Sequence, residues 1–360
     1  MNDSDILESL SREVDACSRA ARPLNIVGGN TKRFHGGVVE GDVIAMNHFA
    51  GVLEYEPTEL VITARAGTRL SDIEHMLAKQ GQMLAFEPPR LGANSTIGGV
   101  IASGLAGPRR GTAGSVRDFV LGATLMDGRG QILHFGGTVM KNVAGYDVSR
   151  LMAGSMGCLG ILLDVSVKVL PMPQSEATLV FEMDAQTAIT QFNTWLGQPL
   201  PISGTSWWGG AAHVRLSGAP EALRSAIQTM GGELLDEAGH DLFWNSLRDQ
   251  SHPFFNWPED LYRISLPPTT PHIPSDHDTL IEWAGGQRWL RVPGNVNPRD
   301  MQNYARSLKG HATLYHTPDF TKRSLSFTEP DPVLANIQRK LKREFDPAGI
   351  FNPGRMSPIF

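Results

Sequence analysis

The sequence is poor in cysteine, and this shortage excludes several kinds of redox centre. Its only cysteines are Cys17 and Cys158. Two thiols allow neither a disulfide scaffold nor an iron–sulfur cluster held by this chain alone, because such a cluster needs about four thiolates. The histidines, aspartates and glutamates are scattered without the spacing of a metal site, so the sequence predicts no bound metal.

The chain also lacks an excess of positive charge and a long apolar run. It has 32 Lys and Arg against 37 Asp and Glu, a formal net charge of -5, so electrostatics gives no reason to expect a nucleic-acid partner. The apolar run at 151–163 is too short to span a bilayer, and the polar, acidic start at 1–8 is unlike a signal peptide. We expect a cytoplasmic protein without direct membrane insertion, which reaches the inner membrane, if at all, only through partners.

Glycine, in contrast, is abundant and marks particular loops. A short apolar strand at 24–27 ends in Gly28-Gly29, followed by Asn30-Thr31-Lys32. Such an ending can aim several backbone N–H groups at an anion. It is not the dinucleotide pattern G-x-G-x-x-G and no helical pattern follows it, which disfavours a Rossmann fold.

A longer series of small residues occupies the stretch 96–171. It includes Thr96-Ile-Gly-Gly99, the glycines at 104 and 107, and the run Gly154–Gly160. Glycine lets backbone N–H groups approach a ligand without a Cβ in the way. Each glycine alone is as well explained by a tight turn, so the information lies in the ordered set.

Hydrophobic periodicity predicts the elements of the first half, up to the prolines at 171 and 173. They are a helix at 4–20, strands near 24–27, 52–55 and 60–64, a helix from a Ser71–Glu74 capping box to about residue 80, a hairpin of 119–126 and 131–135, a short helix at 147–152 and a half-buried strand at 161–170.

From residue 178 the pattern changes, and an order of strand, hairpin and helix occurs twice. This repetition predicts a two-fold ferredoxin-like sheet covered by helices. Asp331-Pro332 begins a last helix, and a tail fixed by proline and glycine follows it. The apolar face predicted for that helix consists of Val333, Leu334, Ile337, Leu341 and Phe345.

Taken in order, these motifs resemble the flavoprotein family built on the vanillyl-alcohol-oxidase, or PCMH-type, FAD-binding fold. The resemblance covers about residues 1–171 and 345–356. It rests on Gly28–Lys32, Thr96–Gly99 with Gly107, Ser115–Asp118, Gly154–Gly160 and Phe351–Gly354. It implies an α+β chain with a PCMH-type FAD-binding domain of two α/β subdomains at 1–172. A ferredoxin-like α+β cap at 173–344 and a tail at 345–360 that returns to the first domain would follow.

Within that family, the finer likeness is to the FAD-binding subunits of bacterial glycolate oxidases. It is carried by Pro108–Gly111, Val139–Asp147 and Phe351–Met356. This likeness implies oxidation of glycolate, a small 2-hydroxy acid, to glyoxylate. Electrons would pass to a second FAD-binding subunit and an iron–sulfur subunit. Two alternatives stay open: a self-sufficient FAD-dependent 2-hydroxy-acid dehydrogenase, and a flavin-bearing assembly subunit without chemistry of its own.

The resemblance also assigns residues to the cofactor. The FAD pyrophosphate would lie on Gly28, Gly29, Asn30, Thr31 and Lys32. The next contacts, toward the isoalloxazine edge, would be Thr96, Gly98, Gly99 and Ser103. The isoalloxazine or adenine side would meet Ser115, Val116 and Asp118, and the adenosine would meet Gly160 and Ile161. Some members link flavin through a histidine of the first loop. Here that loop carries asparagine and threonine, so we expect non-covalent FAD in spite of His35 nearby.

Catalytic residues are harder to assign. Oxidation of a 2-hydroxy acid needs a cation for the carboxylate and a base for the hydroxyl proton. Candidates in the cap are Arg263, Arg288 and His311, although such residues are more often ordinary surface or hydrogen-bonded groups. Related dehydrogenases carry a histidine-rich metal motif that the segment 310–316 lacks, which puts an independent catalytic site in doubt.

A group of aromatic residues in the second half has two interpretations. Trp207, Trp208, Phe254, Phe255 and Trp257 occur in two short clusters. Aromatic side chains are enriched in the cores of protein interfaces, so these residues could cover a partner's surface. The alternative is that they form the core of the cap.

Overall fold

The computed structural model of this chain describes residues 3–138, 147–272 and 277–357. The elements of the N-terminal domain (residues 3–171) are α1 Asp3–Arg19, β1 Leu24–Val27, β2 Asp42–Ala45, β3 Val52–Glu56, β4 Val61–Arg65, α2 Leu70–Ala78, β5 Gln82–Met83, α3 Ile97–Ser103, α4 Arg110–Ala113, α5 Val116–Phe119, β6 Val120–Met126, β7 Ile132–Gly136, β8 Ile161–Lys168 and β9 Leu170–Pro171. A short 3-10 helix lies at Ser149–Met152.

The N-terminal domain contains two α/β subdomains, as the resemblance implies. In the smaller one, β1 pairs in parallel with β2 beside α1. In the larger one, the antiparallel strands follow the order β3-β4-β8-β6-β7, with α2, α3 and α5 packed on the sheet. The two subdomains meet at β8, because Val165 and Val167 belong to the larger core while Ile161 and Leu163 belong to the smaller one.

Two local predictions in this domain were wrong. The strand at 161–170 is buried on both faces, not half-buried, because a subdomain core lies on each side of β8. The Ser71–Glu74 capping box does not form, since α2 already begins at Leu70, whose N–H donates to the Ser95 carbonyl (2.8 Å). A capping box is found instead at Ser115–Asp118, at the start of α5.

The cap (residues 175–316) is built on one sheet. Its elements are β10 Ser175–Glu182, α6 Ala185–Leu196, β11 Ile202–Trp208, β12 Ala211–Gly218, α7 Pro220–Met230, β13 Glu233–Leu234, α8 Glu237–Arg248, β14 Asp260–Ser265, β15 Thr279–Glu282, β16 Gln287–Val292, α9 Pro298–Ser307 and β17 His311–His316. The described strands follow the order β13-β10-β12-β11-β15-β16-β14-β17. If the four strands of each half are numbered along the chain, they lie side by side in the ferredoxin-like order 4-1-3-2. The two halves join at their second strands, β11 and β15. The two-fold prediction is therefore confirmed.

Four of the five aromatic residues, Trp207, Trp208, Phe254 and Phe255, pack in the hydrophobic clusters of the cap, so for these four the partner-surface interpretation was wrong. Phe254 is fully buried, and Trp208 and Phe255 pack in the same cluster as Trp289. That cluster also contains Leu105 of the N-terminal domain and therefore joins the two domains. Aromatic side chains bury a large area each, which makes the junction a substantial contribution to stability.

The last helix, α10 Pro332–Phe345, leads back to the N-terminal domain. Lys342 Nζ donates to the carbonyl of Cys158 (2.7 Å), and the buried Asp346 carboxylate accepts the N–H groups of Ile350 (3.0 Å) and Phe351 (2.8 Å). The tail then runs beside β1, where the Leu24 N–H donates to the Ile350 carbonyl (2.7 Å). We propose that the returning segment includes the C-terminal half of α10. In the described part of the chain, no helix is both long and apolar enough to cross a membrane.

Candidate functional site

The loop after β1 lies against the segment before α3 with no room for side chains on its glycines. A Cβ on Gly28 would lie 2.5 Å from Thr96 Oγ1, and a Cβ on Gly29 would lie 1.5 Å from the Asn94 carbonyl oxygen. The next residue, Asn30, has a positive φ of 57°. The two glycines are therefore required by close approach between two backbone segments, and together these segments form one wall of a cleft.

Most of the residues that the resemblance assigns to FAD meet in this cleft. Its walls carry Gly28, Gly29, Asn30, Thr31, Lys32, Thr96, Gly99 and Ser103. An adjoining cavity, which shares Gly28 and Thr96 with the cleft, adds Gly98 and Gly160 beside Gly157. The cleft therefore joins the first loop, the start of α3, the loop before β8 and the tail, which lie far apart in sequence.

Four of the assigned residues do not line the cleft. Ser115 donates both its backbone N–H (2.8 Å) and its hydroxyl (2.7 Å) to Asp118, so these two side chains cap α5. Val116 and Ile161 are buried in the two cores of the N-terminal domain. Contact of these four residues with a cofactor remains a prediction from the resemblance alone.

Sequence reasoning missed two arginines that reach the cleft from the C-terminal part of the chain. Arg355 donates to the carbonyls of Lys32 (2.9 Å) and Gly37 (3.0 Å), and Arg323 donates to the carbonyl of Gly36 (3.0 Å). They therefore fasten the first loop to the tail and to the loop after β17. No local sequence signal marks Arg323, whereas Arg355 directly follows the quoted Asn-Pro-Gly motif.

These arginines, with Lys32 and Arg33, form a cationic cluster. Lys32 Nζ donates to Ser95 Oγ (2.9 Å), and burial lowers the pKa of Lys32 to about 8. Burial and the neighbouring Arg323 lower the pKa of Arg355 to about 10. Among the residues that the structure describes, no carboxylate lies within ion-pair distance of any of the four cations. Lys32, Arg323 and Arg355 are buried or half-buried, and the carbonyl partners of the two arginines do not neutralise their charge, so a bound anion would offset the cost of burying it. The cluster therefore fits the pyrophosphate of FAD.

His35 lies next to this cluster but not on the wall of the cleft. Its ring is buried between Tyr315 (4.9 Å between centroids) and Phe327 (5.2 Å). Burial and the charges of Arg263 and Arg355 hold the pKa of His35 well below its ordinary value, so the ring is neutral. His35 is placed to hold the first loop against the cap.

The cap offers a second cleft, which contains two of the three catalytic candidates. Arg263 and His311 line it together with Thr313, Thr328 and Gln338. Within the described ranges, the Arg263 guanidinium has no ion-pair partner. Burial, with Arg263 and Arg110, lowers the pKa of His311. A guanidinium without an ion-pair partner can bind a carboxylate, and an unprotonated imidazole beside it can accept a proton.

The third candidate, Arg288, lies elsewhere. On the antiparallel strands Arg263 is opposite Trp289, whereas Arg288 is opposite Ile264, so the two arginines point to opposite faces of the sheet. Arg288 donates to the carbonyls of Gly285 (3.3 Å), Pro271 (2.7 Å) and Thr270. Its guanidinium therefore has backbone partners, and we do not retain it as a carboxylate anchor.

Another ionisable residue on the Arg263 face of the sheet was missed by the sequence analysis. Glu282 is buried, and its Oε2 accepts hydrogen bonds from Gln287 (2.8 Å) and Trp289 (2.7 Å). Burial raises the pKa of Glu282 to about 7, and these two hydrogen bonds only partly oppose the shift. A single acidic residue in an apolar strand gives no sign of such burial in the sequence.

A buried ion network fixes the cap on the N-terminal domain. Arg109 donates to Glu87 (3.2 Å) and to Glu176 (2.7 Å), while Arg215 also pairs with Glu87 (2.9 Å). Burial alone would raise the pKa of Glu87, but Arg215 and Arg109 hold it below its ordinary value. Two carboxylates and two guanidiniums balance in charge, in contrast to the cationic cluster.

The segment 139–146, which carries much of the finer sequence likeness, lies outside the described residues.

In the part of the chain that is described, no three histidine, cysteine, aspartate or glutamate side chains are grouped so that they could hold a metal ion. The tail lines both clefts, with Arg355 in the first and Met356 in the second.

Comparison with known proteins identifies an FAD-binding domain in this part of the chain. A family model described as an FAD binding domain matches residues 7–148. The glycolate oxidase subunit GlcE of Escherichia coli is 44% identical over 356 residues, 99% of each chain. The glycolate oxidase subunit GlcD of Bacillus subtilis is 32% identical over 176 residues, 48% of this chain and 37% of that protein.

Solved structures support the fold. An alkyldihydroxyacetonephosphate synthase matches with a TM-score of 0.63 and 16% identity, over 96% of this chain and 75% of that one. At this identity the likeness concerns the fold alone, and it agrees with the PCMH-type arrangement that the sequence implied. Because the GlcE relative is 44% identical and is matched almost end to end, this chain belongs to the family of the glycolate oxidase subunit GlcE, and its N-terminal domain is an FAD-binding domain.

Proposed function

We propose that this chain is the FAD-binding subunit of an enzyme that oxidises glycolate to glyoxylate. The observation that carries the proposal is the cationic cluster of Lys32, Arg33, Arg323 and Arg355, which borders a glycine-walled cleft and has no carboxylate within ion-pair distance in the described ranges. The end-to-end similarity to a glycolate oxidase subunit supports the same conclusion. Bound FAD would supply the two-electron acceptor that the oxidation of an alcohol requires.

The residues of this chain would have separate tasks. The cationic cluster would hold the pyrophosphate, and the first loop would supply backbone N–H groups to it. We propose that the flavin is bound non-covalently, because the segment Gly28–Lys32 contains no histidine and His35, further along the same loop, is packed among aromatic rings. Acid precipitation would then release intact FAD into the supernatant, whereas a covalent link would leave the flavin with the pellet.

On the substrate side, Arg263 would hold the glycolate carboxylate. A guanidinium matches a carboxylate in a bidentate pair, and this one has no competing ion-pair partner among the described residues. The imidazole of His311, whose pKa partial burial and Arg263 hold below its ordinary value, would accept the hydroxyl proton. An experiment that disproves these roles of Arg263 and His311 would leave the proposed FAD site unaffected.

Electrons would leave through other subunits. The chain has two cysteines, both buried and unpaired with each other, and a protein-bound iron–sulfur cluster needs about four thiolates. We therefore propose that the partners are a second FAD-binding subunit and an iron–sulfur subunit. The complex would lie in the cytoplasm or on the inner membrane through those partners.

The test is anaerobic reduction of flavin in the native complex by glycolate, followed near 450 nm. We expect bleaching in the wild type and at least about tenfold slower bleaching at low glycolate in Arg263→Met, since a buried ion pair to the substrate is lost. Arg224→Met, which changes an exposed arginine on α7, is the matched control. Equal bleaching rates in the wild type and in Arg263→Met, at full FAD content, would instead favour a flavin-bearing assembly subunit whose partner performs the chemistry.

A further inference from the structure

The apolar face of α10 is only half covered. Leu341 and Phe345, in its last turns, pack against the core of the N-terminal domain, where the rings of Phe345 and Phe135 are 6.0 Å apart. In its first turns, Val333, Leu334 and Ile337 are 69%, 50% and 55% exposed. One continuous apolar face therefore begins in solvent and ends in the protein core.

The exposed half is a contiguous patch, not a set of scattered residues. Positions 333, 334 and 337 are neighbours on a helix surface, because residues three and four apart lie one turn from each other. Isolated apolar residues on a surface are ordinary, whereas a contiguous apolar patch on a helix is typical of a surface that another protein covers. The helix is held rigidly at both ends, by the Asp331 cap and by the Lys342–Asp346 pair.

Cations border this patch on one side. Lys340 and Arg343 are exposed there together with one carboxylate, Glu344, and none of the three forms an ion pair among the described residues. Lys340 is one turn from Ile337, and Arg343 is one turn further along the same edge. An apolar centre with a charged rim is the usual composition of a protein interface.

We propose that the first half of α10 is the docking surface for another subunit of the complex, and that this subunit presents an apolar groove bordered by carboxylates. The proposal rests on the proposed function in so far as it requires a partner subunit. Two cations against one carboxylate leave this edge with a net positive charge, so a groove with an acidic border is complementary to it and one with a basic border would be repelled. Three side chains cover less than the roughly 800 Å² that each partner usually buries. The helix therefore forms the apolar centre of a wider interface.

The experiment uses the full chain, tagged in its native cells, with the subunits that co-purify identified and quantified by native mass spectrometry. The variant is Ile337→Glu, which places a charge in the apolar patch. The matched control is Leu242→Glu on α8, because Leu242 is 73% exposed and lies apart from α10. We expect Ile337→Glu to lower recovery of the flavin and iron–sulfur partner subunits by about tenfold or more, with unchanged FAD content. The control should keep full recovery.

A second variant tests the charged border. Lys340→Glu combined with Arg343→Glu should weaken assembly, and the defect should become smaller in high salt because exposed charges are screened. Equal partner recovery by wild type and Ile337→Glu, with normal FAD content, would overturn the proposal. So would an isolated wild-type chain that dimerises through this patch, seen as a dimer abolished by Ile337→Glu while partner recovery is unaffected. A complex that assembles through α10 but does not oxidise glycolate would contradict the proposed function instead.

Discussion

A Cβ on Gly29 would lie 1.5 Å from the carbonyl oxygen of Asn94. No side chain can occupy that space, so the first loop and the segment before α3 must separate if Gly29 is replaced. The reason differs from the usual one for a loop glycine, because the positive φ in this loop belongs to Asn30. The glycine is required by contact between the two backbone segments that form this wall of the cleft, and its replacement would distort the wall.

We therefore predict that Gly29→Val loses most of its FAD while the cap keeps its fold. Gly29→Ala should already lose FAD, since the clash involves Cβ itself. The measurement is the ratio of flavin to protein absorbance after purification, with circular dichroism as the check on folding. Gly137→Ala is the matched control, because a Cβ there meets nothing within 4 Å. Normal flavin content in a folded Gly29→Ala protein would show that the loop is not part of the cofactor site.

The sequence predicted those parts of the fold that depend on local patterns. The hairpin of β11 and β12 and the order of strands in each half of the cap follow from alternation and turn glycines. Helix α8 was missed because a glycine and a histidine interrupt its pattern, although Asp236 caps it and His240, Trp244 and Leu247 share its buried face. Helix α3 was missed because its glycines were attributed to a loop. Their role is close packing, since a Cβ on Gly98 would lie 2.7 Å from Ala66 Cβ.

The candidate site was predictable only where its residues are contiguous. The first loop and the Thr96 segment carry their own glycine motifs, and both line the cleft. Arg323 comes from a loop after the cap sheet and has no motif, so only the folded chain brings it to Gly36. The same limit applies to Glu282, whose raised pKa comes from burial by residues distant in sequence.

Lys32 makes FAD binding depend on pH. Burial lowers its pKa to about 8 in the protein without ligand, and a bound pyrophosphate would raise it again. Binding above pH 8 must therefore take up a proton, and affinity should fall as pH rises, by roughly tenfold or more between pH 7 and 9.5. Fluorescence titration of apoprotein with FAD at several pH values measures this. Lys32→Met should bind more weakly at pH 7 and show a flatter pH dependence. An unchanged slope in that variant would exclude Lys32 as the titrating group.

The network of Glu87, Arg109 and Arg215 should contribute strongly to the attachment of the cap. Glu87→Gln leaves two buried guanidiniums without their shared carboxylate, and breaking one partner of a buried pair costs about 3–5 kcal/mol. Because the folded-state pKa of Glu87 is lowered, its contribution is present above its unfolded pKa and is lost as pH falls through the folded value. Urea denaturation at pH 7.5 and at pH 4 should show a smaller difference between variant and wild type at the lower pH. A difference that does not depend on pH would contradict the ionic origin.

Glu282 should have the opposite pH dependence. Its folded-state pKa is raised to about 7, so the folded protein binds more protons than the unfolded chain between the two pKa values, and stability falls as pH rises through that window. Glu282→Gln removes the buried charge and keeps an oxygen acceptor for Trp289 and Gln287. The variant should gain up to about 3 kcal/mol over wild type at pH 8 and less at pH 5, measured by denaturant unfolding. Equal stability of Glu282→Gln and wild type at pH 8 would mean that ionisation of Glu282 does not destabilise the folded protein.

The isolated chain should oxidise glycolate poorly or not at all. The segment 310–316 lacks the metal motif expected of related dehydrogenases, and two separate buried cysteines cannot hold an electron-transfer cluster. The measurement is steady-state glycolate oxidation with an artificial dye, which removes the need for the natural electron acceptor. The assay compares the FAD-loaded chain alone with the purified complex at equal flavin concentration. We expect turnover in the complex and at most a few per cent of it in the chain alone. Turnover by the chain alone near roughly 10 per second, as for ordinary enzymes, would establish a self-sufficient dehydrogenase and would remove the need for partners in the chemistry.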